Sequence, residues 1–182
     1  MSPVVLPWPA PAEAASGSFD DLRRLIAARG LEFAQFWFTD LEGRPWRITM
    51  PSDAVSEGLF VSGLPLDGQP IGGSWDGVML LMPRLDACYA DTTGAAPSLV
   101  MLCDILDAGG SRPLPLEPRH VLARAVQLAE KRFSCELILG VEPEFLLLDA
   151  AGRPAAESVV WDLLSRLALS LADAGIRVDW FR

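Results

Sequence analysis

Residues 32–50 read EFAQFWFTDLEGRPWRITM, and this stretch decides the fold. Its first eight residues are dense in Phe and Trp, which are enriched in β-strands. The next five, Asp40-Leu41-Glu42-Gly43-Arg44, have the composition of a turn, and residues 45–50 then resume a strand-like pattern that Pro51 ends. The stretch therefore predicts a β-hairpin.

The residues before the hairpin predict a tail and a short helix. Residues 1–17 are rich in Pro and Ala and have neither the basic start nor the apolar core of a signal peptide, so we expect a flexible tail. Ser18 is a suitable N-cap, and an acidic first turn and an apolar stripe follow it. Gly30 is the stop signal, which predicts a helix over residues 19–29.

The residues after the hairpin predict a loop and two further strands. Residues 63–75 contain too many Gly and Pro for a regular element and predict a long loop. Strands are predicted over residues 78–82 and 99–105, separated by an irregular segment that contains Asp86 and Asp91.

Residues 107–113 have linker composition, and we expect a domain boundary there, between residues 18–110 and residues 111–182. The second unit alternates helix and strand. Pro118 opens a predicted helix that ends near Lys131 and Arg132, a buried strand is expected around residues 137–148, and a second helix follows, stopped by Gly175. Residues 176–181 then predict another strand. The fold class is α+β, with a strand-rich front half and an alternating back half.

Glu142 and Glu144 are the most suggestive candidates for chemistry. They lie two residues apart in an apolar run, so strand alternation would place both carboxylates on one face. Two buried like charges need a cation or a shared proton, which favours a site for Mg²⁺ or Mn²⁺. The alternative is that Pro143 interrupts the ladder and that both glutamates reach solvent at a sheet edge. The residues alone leave both interpretations open.

Composition excludes several classes of function. The chain has 182 residues, is 51% hydrophobic and carries a net charge of −9. It has no Lys/Arg cluster that could bind a nucleic acid and no apolar stretch long enough to span a membrane. Cys88, Cys103 and Cys135 suit reduced core thiols in a cytoplasmic protein. His120 is the only histidine and is expected at the surface or as a cap near a helix start. The sequence therefore argues against a catalytic Ser/His/Asp triad or Cys/His pair.

Short motifs follow one another in a fixed order: Phe38-Thr39-Asp40 with Gly43 and Trp46, Asp67-Gly68 with Ile71-Gly72-Gly73-Ser74-Trp75, Met82-Pro83, Cys103-Asp104-Ile105-Leu106, Pro118-Arg119 and Glu142-Pro143-Glu144-Phe145. In this order and spacing the chain resembles the N-terminal part of the type I glutamine synthetases. The resemblance implies a β-grasp domain at the front, followed by the first helices and strands of a catalytic domain.

The resemblance also implies a reaction and its residues. In that family, ammonia is joined to the γ-carboxyl of glutamate through a γ-glutamyl phosphate made from ATP, with Mg²⁺ or Mn²⁺ offsetting phosphate charge. By resemblance, Glu142 and Glu144 are metal ligands, and Asp67 is the catalytic aspartate that binds ammonium in a neighbouring subunit's active site. Gln69-Pro70 departs from the two serines usual there. The ATP site and the remaining ligands are expected outside this chain.

Three hypotheses follow. The chain is one component of a glutamine-synthetase-like ligase, incomplete and inactive alone, which works as a homo-oligomer or with a missing catalytic portion. Alternatively, it is a non-catalytic partner that docks onto a full-length synthetase. The third hypothesis is a fragment that folds poorly. None of them involves a nucleic acid or a membrane, and all place the protein in the cytoplasm.

Overall fold

The computed structural model describes residues 18–67, 77–110, 112–138, 140–176 and 178. In chain order the elements are α1 (Phe19–Arg29), β1 (Phe33–Thr39), β2 (Pro45–Pro51), a 3₁₀ turn (Ser52–Ala54), α2 (Leu59–Ser62), β3 (Leu64–Asp67), β4 (Val78–Asp91), β5 (Ser98–Leu106), α3 (Pro118–Phe133) and α4 (Glu157–Asp173). The α+β fold class is confirmed. The predicted tail, most of the predicted loop and most of the predicted last strand lie outside the described residues.

The five strands form one mixed sheet in the order β2-β1-β5-β4-β3. The predicted hairpin is confirmed: β1 and β2 pair antiparallel from Phe33 opposite Pro51 to Thr39 opposite Pro45. On its other side β1 pairs parallel with β5, and β5 continues antiparallel to β4. The centre of the sheet therefore joins strands that lie far apart in the sequence.

Asp40 fixes the turn of the hairpin. Its buried carboxylate accepts hydrogen bonds from the backbone N–H groups of Glu42 and Arg44 (both 2.9 Å), from Arg44 Nε (2.7 Å) and from Trp46 Nε1 (2.9 Å). Gly43 takes a positive φ of 79°, which glycine adopts without a steric penalty. One carboxylate thus organises the turn and the start of β2.

Two predictions for the front half are wrong in detail. Residues 64–67 form strand β3, paired with β4, instead of continuing the loop. Pro65 is tolerated there because β3 is an edge strand, with one side free of ladder partners. The predicted irregular segment is part of β4, which runs continuously past Asp86 to Asp91 with a register shift between Pro83 and Cys88. A bulge of this kind bends a strand without ending it.

The core lies between the sheet and α1. Ser18 caps α1, Gly30 ends it in the left-handed conformation, and Leu22 is the residue it buries completely. Among the residues whose burial the structure describes, the buried apolar side chains fall between Leu22 and Ile105: Leu22, Leu31, Ala34, Phe36, Phe38, Val55, Met79, Leu81, Cys88, Leu99, Val100, Met101, Cys103 and Ile105. The front half therefore has a core of its own.

The back half is different. Helices α3 and α4 confirm the two predicted helices, but among the described residues none after Glu117 is buried. The predicted buried strand around residues 137–148 is wrong: the described residues 134–147 lie in no strand, and Leu148 forms only an isolated bridge with Pro154. A strand needs a neighbour, and none is paired with this segment. No described helix is long and apolar enough to cross a membrane.

Candidate functional site

Asp67 is the last residue of β3, at one edge of the sheet. Its backbone lies opposite Val78 in the β3–β4 ladder, and its side chain is exposed. The Gly-rich residues 68–76 that follow lie outside the described residues. The fold therefore presents this carboxylate at the surface, at the start of the loop in which the sequence analysis places its function.

Glu142 and Glu144 are both exposed, on either side of Pro143, in a segment outside any helix or strand. Their exposure agrees with the alternative in which both glutamates reach solvent, but the segment lies neither in a buried strand nor at a sheet edge. Asp67 and the two glutamates belong to separate parts of the chain, and nothing in the described structure joins them in one cluster.

The fit to a divalent metal is partial. Carboxylates are suitable ligands for Mg²⁺ or Mn²⁺, but such ions take six or more oxygen ligands in a defined arrangement. Among the described residues, no group of three or more His, Cys, Asp or Glu side chains is placed to hold a metal. Glu142 and Glu144 fit in donor type but not in number, so by themselves they do not make a metal centre.

Sequence reasoning missed a charged cluster where the sheet meets α3. Arg84 on β4 contacts Asp86 (Nη2 to Oδ2, 2.6 Å) and Asp104 on β5 (Nη1 to Oδ2, 3.3 Å), and Arg119 Nε on α3 reaches Asp104 Oδ1 at 3.2 Å. Arg84 lowers the pKa of Asp86, chiefly through their hydrogen bond. The spacing of two residues between Arg84 and Asp86 could have predicted their ion pair from the sequence. The contacts of Asp104 could not be predicted in this way, because they join residues 15 to 20 positions apart.

Glu117 caps α3 from a fully buried position. Its carboxylate accepts hydrogen bonds from the backbone N–H groups of Arg119 (3.1 Å) and His120 (2.5 Å). Burial raises the pKa of Glu117 despite these two bonds. His120 was expected at the surface or as a cap: the structure places it partly exposed in the first turn of α3, where Glu117 caps its backbone N–H. Glu117 thus fixes the first turn of α3, and the contact from Arg119 to Asp104 joins this end of the helix to β5.

Two of the three cysteines match the expectation of core thiols. Cys88 and Cys103 are buried, whereas Cys135 is exposed just after α3, and none of the three forms a disulfide. Burial raises the pKa of Cys103 to about 12. Because the thiolate is the reactive form, Cys103 is unsuited to catalysis.

A shallow groove of about 350 Å³ lies at the opposite side of the sheet from β3, lined by Phe33, Gln35, Arg47, Thr49, Asp91, Gly94, Ala95, Ala96 and Ser98. Arg47 stacks over the ring of Trp37 at 5.6 Å, and Trp37 Nε1 donates to Gln35 Oε1 at 2.9 Å. These contacts engage two of the polar side chains that line the groove, Arg47 and Gln35. It carries no chemistry that we can assign.

Comparisons with known proteins agree with the fold. A family model described as the glutamine synthetase β-grasp domain matches residues 30–108. Over 137 residues, 72% of this chain, the sequence is 33% identical to the glutamine synthetase of Escherichia coli (strain K12) and 30% identical to the 3-hydroxylaminophenol mutase of Cupriavidus pinatubonensis (strain JMP 134 / LMG 1197). The aligned region is 29% of each of those proteins, so the chain spans under a third of their length.

Solved structures give the same result for the fold. A structure titled apo GmaS without ligand aligns with 86% of this chain and 40% of its own, with a TM-score of 0.65 and 17% identity. A GmaS/ADP complex aligns with 61% of this chain and 26% of its own, with a TM-score of 0.52 and 23% identity. Residues 30–108 are thus a glutamine synthetase β-grasp domain. The chain belongs to the glutamine synthetase family and corresponds to the N-terminal region of that family's members.

Proposed function

We propose that this chain is the N-terminal component of an ATP-dependent ligase that joins ammonia or another amine to the γ-carboxyl of glutamate. The observation that carries the proposal is the β-grasp match over residues 30–108, in a sheet whose edge strand ends in the exposed Asp67. The chain acts at the amine step, and nucleotide binding belongs to the remainder of the enzyme.

Asp67 is the proposed catalytic residue. A carboxylate at the surface of a rigid sheet can enter the active site of a neighbouring subunit, where it stabilises an ammonium ion and accepts its proton when the neutral amine attacks. This role requires assembly, so we propose that the working form is a homo-oligomer or a complex with the catalytic portion of a synthetase.

Glu142 and Glu144 are the proposed metal ligands, completed by donors from outside the described residues. When bound, Mg²⁺ or Mn²⁺ would neutralise phosphate charge during transfer. The chain's own contribution is two carboxylates held two residues apart. Because they are exposed and lack further donors here, we propose that the chain alone is inactive.

The test is reconstitution. The full chain is combined with the catalytic portion of the Escherichia coli enzyme, the part that follows the region aligned here, and glutamate- and amine-dependent phosphate release from ATP is measured. We expect turnover in the mixture and none from either part alone. Asp67→Asn should lower turnover by a factor of about 10² to 10⁴, the usual range for a general base.

The matched control is Asp53→Asn, another exposed aspartate of the front half, which should leave turnover unchanged. The E. coli enzyme's own N-terminal region, combined with the same catalytic portion, is the positive control. Absence of turnover with this chain, while that control is active, would contradict the proposal.

A second candidate is a non-catalytic partner that docks onto a complete synthetase. The exposed apolar side chains of the back half favour this candidate, because large exposed apolar areas are typical of surfaces that bind another protein. Adding the chain to an intact synthetase distinguishes the two: a partner of this kind changes the activity of the intact enzyme, whereas a ligase component does not.

A further inference from the structure

Val78 lies directly opposite the proposed catalytic residue, Asp67, on the neighbouring strand. The two are Cα partners in the antiparallel pairing of β3 with β4, and Val78 is the first residue of β4. Residues that face each other in such a pair point to the same side of the sheet, with Cβ atoms about 4.5–5.5 Å apart. An apolar side chain therefore stands beside the Asp67 carboxylate, close enough to touch a small cation bound there.

The same side of the sheet continues with apolar residues. Pro65 and Leu80 form the pair two positions along the β3–β4 ladder, so strand alternation places them on the side of Asp67 and Val78. Leu80 in turn faces Leu106 on β5. The carboxylate of Asp67 thus stands at the border of an apolar strip formed by Pro65, Val78, Leu80 and Leu106.

A carboxylate beside an apolar side chain distinguishes between amines. All the substituents of an ammonium ion are N–H donors, whereas a primary alkylammonium has a carbon in place of one of them. The carboxylate accepts hydrogen bonds, but a valine methyl group does not, so an ammonium ion held against both leaves a donor without a partner. An alkylammonium turns its carbon to the valine instead and removes apolar surface from water.

We infer that Val78 is a specificity-determining residue of the proposed ligase, and that its amine substrate is a primary alkylamine rather than ammonia. Methylamine is the smallest member of this class. The inference rests on the proposed function, in which Asp67 enters the active site of a neighbouring subunit, and it deepens that proposal by naming the class of substrate.

The amine step uses only groups that the proposed function already supplies. Asp67 accepts one proton from the alkylammonium, and the neutral nitrogen attacks the γ-carbon of the γ-glutamyl phosphate. The C–N bond forms, and the bond from that carbon to the phosphate oxygen breaks. The phosphate leaves with the electron pair and takes the second proton from nitrogen. The product is a γ-glutamyl alkylamide, and nothing is oxidised or reduced.

The test compares two amines in the reconstituted enzyme, which is the full chain with the catalytic portion of the E. coli enzyme. The measured quantity is the ratio of kcat/KM for methylamine to kcat/KM for ammonium. Val78→Thr keeps the branched shape of the side chain but replaces a methyl group by a hydroxyl that accepts a hydrogen bond. It should lower the ratio by about fivefold or more, because the alkyl contact weakens and ammonium gains an acceptor.

The matched control is Val61→Thr, at an exposed valine of α2 outside both β3 and β4. This substitution should leave the ratio unchanged. A structural defect would slow both amines alike, so the ratio separates a role in specificity from a role in folding.

Turnover with an unchanged ratio in Val78→Thr, or equal losses for the two amines, would overturn the inference and leave the proposed function standing. Turnover of ammonium with none of methylamine in the unaltered chain would do the same. Absence of turnover with either amine, while the E. coli enzyme's own N-terminal region is active with the same catalytic portion, would contradict the proposed function and the inference with it.

Discussion

Replacing Phe36 by alanine tests the division of the chain into a front half with a core and a back half without one. Phe36 is 0% exposed at the centre of β1, where its Cα partners are Ile48 on β2 and Met101 on β5. Truncating a buried phenylalanine removes its transfer free energy and leaves a cavity, which together cost about 3–5 kcal/mol. Domains of this size are stable by about 5–15 kcal/mol, so the loss is a large fraction of the total.

The matched substitution is Phe133→Ala. Phe133 is the last residue of α3 and is 68% exposed, so its removal should change the free energy of unfolding by no more than about 0.5 kcal/mol. Urea unfolding of the full chain, followed by tryptophan fluorescence and circular dichroism, measures both. Phe36→Leu, which leaves a smaller cavity, should fall between the two and serves if the alanine variant does not fold.

Equal losses of stability for Phe36→Ala and Phe133→Ala would refute the reasoning. They would mean that Phe133 is buried in the isolated chain and that the back half has a core. A loss at Phe36 below about 1 kcal/mol would refute it as well, because a central strand residue of the core cannot be that dispensable.

Three further predictions concern single groups. Burial alone would raise the pKa of Asp40, but hydrogen bonds from Trp46 and Arg44 hold that pKa well below its ordinary value of 3.8. The stability that this carboxylate contributes is therefore present above pH 3.8 and is lost as the pH falls further. In acid-unfolding curves, the stability of Asp40→Asn should decline less steeply below about pH 4 than that of the unaltered chain. Thiol labelling of the native chain should modify Cys135 within minutes and Cys103 only after unfolding, and equal rates would contradict the burial of Cys103. Glu117→Ala should cost about 0.5–2 kcal/mol of unfolding free energy by removing the cap of α3, with a smaller loss for Glu117→Gln, which keeps an acceptor.

The parts of the fold that local sequence determines were predictable. The hairpin follows from the turn at Asp40 and Gly43, whose contacts all lie within six residues. Helix α1 follows from the cap at Ser18 and the stop at Gly30. In each case the residues that fix the element are neighbours in the chain, so the pattern can be read directly.

The failures in the fold mostly involve partners distant in sequence. Residues 64–67 become a strand because β4 pairs with them, which overrides the Gly and Pro around them. The charged cluster around Asp104 joins β4, β5 and α3. Residues 137–148 have a strand's composition but no strand beside them, and composition cannot say whether a neighbour is present.

The candidate site was also predictable only in part. Sequence motifs selected Asp67, Glu142 and Glu144, and the structure leaves all three at the surface. Their proposed roles need groups from beyond the described residues, and no pattern within these residues encodes those groups. Glu117 carries no signal of its burial, because a buried glutamate that caps a helix cannot be told from a surface glutamate in the sequence.

Hydrogen–deuterium exchange of the full chain, alone and with the catalytic portion of the E. coli enzyme, tests the central claim most directly. In the isolated chain, β1 and β5 should be protected, and the backbone amides of residues 134–148 should exchange near the rate of an unstructured peptide. In the complex, the same amides should become protected as the catalytic portion covers them, with little change in β1 and β5. Protection of residues 134–148 in the isolated monomer, or unchanged fast exchange in the complex, would contradict the account.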